Sequence, residues 1–173
     1  MNKITTLDSL LPRRPEWREA GRTLVFTNGV FDLLHLGHVR YLQEARALGD
    51  ILVVGLNSDP SVRRLKGPNR PLVPQAERAE LLAALACVDH VVIYDTDTAE
   101  HLAAALRPEV YVKGGDYARP TAEETVAHNP QPPKPLPEAE VVRSYGGRVV
   151  LAPYLKGYST TELIDRILRN NGR

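Results

Sequence analysis

Two histidines three residues apart, His35 and His38, close the string TNGVFDLLHLGH that runs from Thr27 to His38. The string follows an apolar run, Leu24, Val25 and Phe26, and precedes a helical pattern starting near Gly37. A strand, a Gly-containing turn and a helix start suit the binding of phosphates. The first amides of a helix have no internal partner, and the helix dipole adds partial positive charge at the same end. Residues three apart on a first helical turn share a face, so both imidazoles can donate hydrogen bonds to one polyphosphate. The competing reading is a pair of ordinary helix-cap histidines. An H-E-x-x-H metal site needs a glutamate and a different spacing, and no other ligand cluster stands nearby, so no protein-held metal is expected.

The elements that would position these residues alternate between short β-rich runs and longer helical ones. Strands are predicted at 24–27, 51–56, 90–94, 110–113 and 148–152, and helices at 37–48, 75–86, 99–106, 137–145 and 160–169. The strands are nearly continuous in apolar character, as in a parallel sheet covered on both faces. The alternation predicts a single α/β domain: a doubly wound, Rossmann-like parallel sheet of about five strands with helices on both faces. Ligands in such folds sit beyond the carboxyl ends of the strands, at the switch point. The polar strings lie there: TNGVFD after the first strand, Asn57 to Asp59 after the second, and Lys113, Gly114 and Asp116 after the fourth. Residues 1–21, with Trp17, form a leading helix and turn packed on the domain at 22–173. The Pro-rich stretch 117–137 excludes helix and central strand and reads as an exposed loop insertion.

Composition narrows the classes. The chain has 173 residues, 43% of them hydrophobic, enough for one core. A net charge of +1 supplies no field for nucleic acid or an anionic membrane, and neither partner is expected. The single cysteine, Cys87, excludes an internal disulfide and reads as a small buried hydrophobe in an apolar helical stretch. No apolar run approaches a membrane span and the start is polar, which predicts a cytoplasmic protein.

Three further features are ambiguous on their own. Ser159, Thr160 and Thr161 precede an amphipathic run with Glu162 in its first turn, a helix cap that could also bind phosphate. VRRLKGPNRP, with Arg63, Arg64, Lys66 and Arg70, reads as a basic loop, either solvated or covering an anionic substrate. Asp32 and Asp116 either orient sugar hydroxyls or satisfy turns.

The segment from Gly29 to His38 fits G-x-F-D-x-x-H-x-G-H at Gly29, Phe31, Asp32, His35, Gly37 and His38, and here the chain resembles the H-x-G-H nucleotidyltransferase, or cytidylyltransferase-like, superfamily. The resemblance implies that His35 and His38 contact the triphosphate and stabilise the transition state, with Gly37 allowing close approach. It adds Lys66 as a third catalytic group. It places Thr27, Asn28, Gly29, Phe31, Asp32, Arg78, Lys113, Gly114, Asp116, Ser159, Thr160 and Thr161 around the nucleotide, and Asn57, Asp59 and Arg64 near the second substrate. Beyond the motif, LNSD, RLKGPNRP, VDHVV, VKGGDY and YGGRVVLAPYLKGYSTT are similar to the adenylyltransferase half of bifunctional heptose-phosphate kinase/adenylyltransferases. That similarity implies transfer of AMP from ATP to D-glycero-β-D-manno-heptose 1-phosphate, giving ADP-heptose. It further implies Mg²⁺ carried mainly by the nucleotide phosphates, and a homodimer. The alternatives are a CTP-dependent glycerol-3-phosphate or other polyol-phosphate cytidylyltransferase and a non-catalytic nucleotide sensor. Tyr154 stands where the cytidylyltransferase pattern has arginine, which weighs against CTP. A synthetase fragment is disfavoured by short length, neutral charge and the lack of a KMSKS-like segment.

Overall fold

A computed structural model describes residues 3–114, 136–152 and 158–171. Fourteen elements follow in order: β1 (Ile4–Thr5), α1 (Leu7–Leu10), α2 (Arg13–Glu19), β2 (Leu24–Gly29), α3 (Leu36–Arg46), β3 (Ile51–Asn57), α4 (Asp59–Lys66), α5 (Gln75–Ala84), β4 (His90–Tyr94), α6 (Glu100–Leu106), β5 (Val110–Gly114), α7 (Pro137–Ser144), β6 (Arg148–Ala152) and α8 (Thr160–Asn171). The strands form one six-stranded sheet in the order β1-β4-β3-β2-β5-β6, and every neighbouring pair is parallel. Apart from the edge strand β1, the order runs outward from β2 in both directions, so the switch point lies between β2 and β5.

Alternating strand residues feed two cores, one per face. Leu24 and Phe26 of β2 join Ile51, Val53, Trp17, Leu102 and Val142 on one side; Val25, Leu52, Val54, Leu42 and Leu82 gather on the other. All seven residues of β3 are buried, which explains its unbroken apolar run. The doubly wound prediction therefore stands, with helices on both faces.

Three local expectations are corrected. The sheet has a sixth strand, β1, because Ile4 and Thr5 of the lead-in pair with Val91 and Val92; two residues carry no periodicity to read. The lead-in forms two helices rather than one, locked down by the buried Arg14, which donates to the Leu106 and Arg107 carbonyls and pairs with Glu109 at 2.6 Å. The basic stretch after β3 is a helix, α4, capped by the Ser58 side chain and ended at Gly67 with φ 96°. Ser58, Pro60 and Gly67 are the start and stop signals that announce it. Cys87 lies in the turn beyond α5, half-buried, and burial pushes its thiol pKa up. Among the described residues no helix is long and apolar enough to cross a membrane. Asp116 and residues 117–135 of the Pro-rich stretch, like Tyr154, lie outside the described residues.

Trp17 is 6% exposed and stacks on His90 at 5.7 Å. Trp17→Ala is expected to remove about 3–5 kcal/mol of stability in chemical denaturation, the loss typical of a buried aromatic. A loss below about 1 kcal/mol would show that the lead-in is an appendage rather than part of the core.

Candidate functional site

The cleft follows from strand register. β2 pairs with β3 along its whole length, from Leu24 to Gly29, but its pairing with β5 covers only Val25–Val110 and Phe26–Tyr111. Beyond Phe26 the two strands part, and side chains take over from the backbone ladder. The Tyr41 hydroxyl, reaching in from α3, lies 2.5 Å from Thr27 Oγ1 and donates to the Val112 carbonyl at 2.9 Å. Lys113 Nζ crosses back to the Asn28 carbonyl at 3.2 Å. A cleft of about 260 Å³ opens over this split. Its lining includes Asn28, Gly29, Phe31, His35, Gly37, His38, Lys113, Gly114, Ser159 and Thr160 among the expected residues, with Val30, Tyr41 and Tyr158 in addition.

His35 is the N-cap of α3 rather than a residue of its first turn: its backbone is extended (φ −135°, ψ 171°), and its Nδ1 accepts from the His38 amide at 3.4 Å. With Nδ1 accepting, the proton of the neutral ring sits on Nε2, the nitrogen left for a ligand. The two rings stack with centroids 3.8 Å apart. Phe31 packs on His38 in a tilted arrangement at 5.3 Å. Burial, seconded by the neighbouring His35, pushes the His38 pKa down to about 4. Burial lowers that of His35 as well, partly opposed by Glu162. Both rings are therefore neutral near pH 7. Among the described residues His38 Nδ1 has no hydrogen-bond partner though buried, a state that typically costs about 1–3 kcal/mol and favours an incoming polar group.

A second helix start meets the first. Ser159 Oγ caps α8 by accepting from the Glu162 amide at 3.0 Å, and Thr160 Oγ1 donates to the Asp32 carbonyl at 2.8 Å. A Cβ on Gly37 would stand 3.0 Å from both Tyr158 Cβ and its carbonyl oxygen, so any larger residue would push the two helix starts apart. Gly114 is under similar constraint, since a Cβ there would lie 2.8 Å from the Tyr41 ring.

Other expected residues sit behind the cleft rather than in it. The Asp32 carboxylate is 1% exposed and accepts from Arg70 Nε and from the Leu72 and Val73 amides at 2.8–3.0 Å, so it anchors a loop instead of facing a sugar. Phe31 and Leu33 on either side adopt positive φ of 49° and 52°, a strained backbone held by these contacts. Arg78, expected at the nucleotide, does not line the cleft. It is 1% exposed and donates to the carbonyls of Val73, Val30 and Asn57 and to Asp59 Oδ1. Asn57 donates to Ser61 Oγ at 2.9 Å, and Arg64 pairs with Asp97 at 2.7 Å and with Asp95. Asn57, Asp59 and Arg64 thus belong to internal and surface networks. Thr27 is buried beneath the cleft, while Thr161 and Lys66 are exposed outside its lining. Among the described residues no three His, Cys, Asp or Glu side chains group as a metal site. Sequence reasoning missed the cleft residues Val30, Tyr41 and Tyr158; Tyr41 acts through contacts between distant segments that no linear pattern reveals.

Comparison with known proteins fits this geometry. Residues 26–166 match the family described as Cytidylyltransferase-like. The chain is 52% identical over 167 residues to the bifunctional protein HldE of Syntrophotalea carbinolica, which covers 96% of this chain and 31% of that protein. It is 55% identical over 165 residues to the bifunctional protein HldE of Geotalea uraniireducens, covering 95% and 31% respectively. The chain thus spans about a third of the length of these relatives. Among solved structures, the lipopolysaccharide core biosynthesis protein of Thermoplasma volcanium superposes with a TM-score of 0.56 at 27% identity, over 80% of this chain and all of that one. The pantoate-β-alanine ligase of Francisella tularensis has the same TM-score at 13% identity over 98% of this chain and 80% of its own, a likeness of fold alone.

The lowered histidine pKa values carry a sign. A folded-state pKa below the ordinary 6.5 means that the unfolded chain binds more protons, so stability falls as pH drops from about 6.5 toward 4. Thermal midpoints measured across this range are expected to decline, and His38→Asn is expected to flatten the decline. An unchanged slope in that variant would contradict the burial of a neutral His38.

Proposed function

The chain belongs to the cytidylyltransferase-like family, and from that premise we propose that it transfers AMP from ATP to a sugar 1-phosphate, D-glycero-β-D-manno-heptose 1-phosphate, releasing pyrophosphate and giving ADP-heptose. The observation that carries the reading is the convergence of two neutral, stacked imidazoles and two helix N-termini on one cleft at the switch point. The choice of ATP and heptose phosphate is supported by the similarity to bifunctional HldE proteins and by the strings LNSD, RLKGPNRP and VKGGDY.

In the proposed reaction an oxygen of the sugar phosphate attacks the α-phosphorus in line. The bond from that phosphorus to the bridging oxygen breaks, and its electron pair leaves with pyrophosphate. The substrate is its own nucleophile, so the chain supplies positioning and charge stabilisation. His35 and His38 donate to oxygens of the polyphosphate, and the amides at the starts of α3 and α8 add partial positive charge. Lys113 supplies an ammonium at the strand split. Lys66, exposed at the end of α4, is the cation assigned to the departing pyrophosphate. Among the described residues the lining holds no carboxylate, and Asp32 is fully engaged elsewhere, which fits Mg²⁺ held by the nucleotide phosphates and water rather than by the protein. When bound, the ion neutralises charge on the β- and γ-phosphates.

Pyrophosphate release is to be followed with ATP or CTP against a panel of sugar 1-phosphates and polyol phosphates. Turnover with ATP and the heptose 1-phosphate is expected. Turnover confined to CTP and glycerol 3-phosphate would replace the proposal with the cytidylyl reading, and no turnover with any pair would favour a sensor. His38→Ala is expected to lower kcat by about 10²–10³, the usual effect of losing one charge-stabilising donor. Unimpaired turnover in that variant would refute the assignment of His38.

A further inference from the structure

Glu138 opens α7 and is 4% exposed, a buried carboxylate far in sequence from the motif that defines the cleft. Its Oε1 accepts from the Ala99 amide at 2.8 Å and from Asn28 Nδ2 at 3.1 Å. Asn28 Nδ2 donates also to the Tyr94 hydroxyl oxygen at 3.1 Å. On the other side of the same amide, Asn28 Oδ1 accepts from the Tyr111 hydroxyl at 2.8 Å and from Lys113 Nζ at 3.1 Å. Turning the amide over would set its oxygen against the carboxylate and its NH₂ against the ammonium, so its orientation is decided. The result is a buried charge pair joined through a neutral amide: carboxylate, amide, ammonium.

Asn28 and Lys113 line the cleft, and Glu138 does not. Burial alone favours the uncharged amine, and the carboxylate opposes this. A fixed countercharge on the far side of Asn28 therefore offsets part of the burial penalty on the ammonium.

We propose that Glu138 is a positioning residue for the transfer reaction, holding the Lys113 ammonium through the Asn28 amide so that it meets the phosphates entering the cleft. This rests on the nucleotidyl-transfer reading above. It also explains why the first turn of α7, which is absent from the described lining of the cleft, reaches Asn28 in β2 and the Ala99 amide at the start of α6.

The test is a double-mutant cycle on the full chain with Glu138→Gln, Lys113→Met and the pair, read as kcat/KM for ATP with thermal midpoints as the control for folding. Glu138→Gln keeps an acceptor for the Ala99 amide and removes only the charge. It is expected to lower kcat/KM about tenfold, and less than about twofold once Lys113 is already Met. A purely structural Glu138 would give the same factor in both backgrounds, and that result overturns the proposal, as does full activity of Glu138→Gln. If the amide variant does not fold, Glu138→Asp, which withdraws the charge by one methylene, is put through the same cycle and judged by the same outcomes. Absence of pyrophosphate release from the unaltered chain counts against the functional reading instead, and the cycle is then read on Mg-ATP affinity, where equal losses in both backgrounds overturn the role of Glu138.

Discussion

Two aromatic cations cannot stack face to face in a half-buried cleft, and this constraint organises the site. Burial disfavours protonation of both rings, and with centroids 3.8 Å apart the neighbouring His35 pushes His38 down further. Near pH 7 the pair is neutral and can donate without carrying charge of its own. Anionic charge arriving in the cleft reverses the balance, because an opposite charge close by favours the protonated imidazole. Under the proposed function, a polyphosphate seated there would draw protons onto the pair.

Holding two side chains in that arrangement requires support, and several of the buried polar groups supply it. Asp32 and Arg78 clamp the motif loop from behind, through Arg70, Leu72 and Val73 on one side and Val30, Asn57 and Asp59 on the other. Thr160 ties the start of α8 to the Asp32 carbonyl. Tyr41, one turn beyond His38 on α3, bridges β2 and β5 where their backbone pairing stops. The positive φ values at Phe31 and Leu33 are sustained by these contacts, as expected where strain serves a site.

Much of this was legible in the chain. Apolar runs located five strands, because buried parallel strands have no polar face to interrupt them, and the motif marked the switch point. The start of α3 shifted by one residue, to Leu36, since His35 caps the helix. What sequence could not provide is direction. Arg78, Asp32, Asn57 and Asp59 are polar residues near the right strand ends, yet they turn inward to satisfy buried carbonyls and amides rather than facing the cleft. Arg64 has acidic neighbours at Asp95 and Asp97 that no linear pattern reveals. Glu138 opens a helix after the Pro-rich stretch, where its string resembles an ordinary N-terminal turn.

The central claim is that a polyphosphate seats against both imidazoles. It is tested most directly by ¹⁵N NMR titration of His35 and His38 with and without a non-hydrolysable ATP analogue and Mg²⁺. The free protein is expected to show His38 titrating near pH 4 and His35 below its ordinary value. With the analogue bound, both pKa values rise. Titration curves for both rings that are identical with and without the nucleotide would contradict the account.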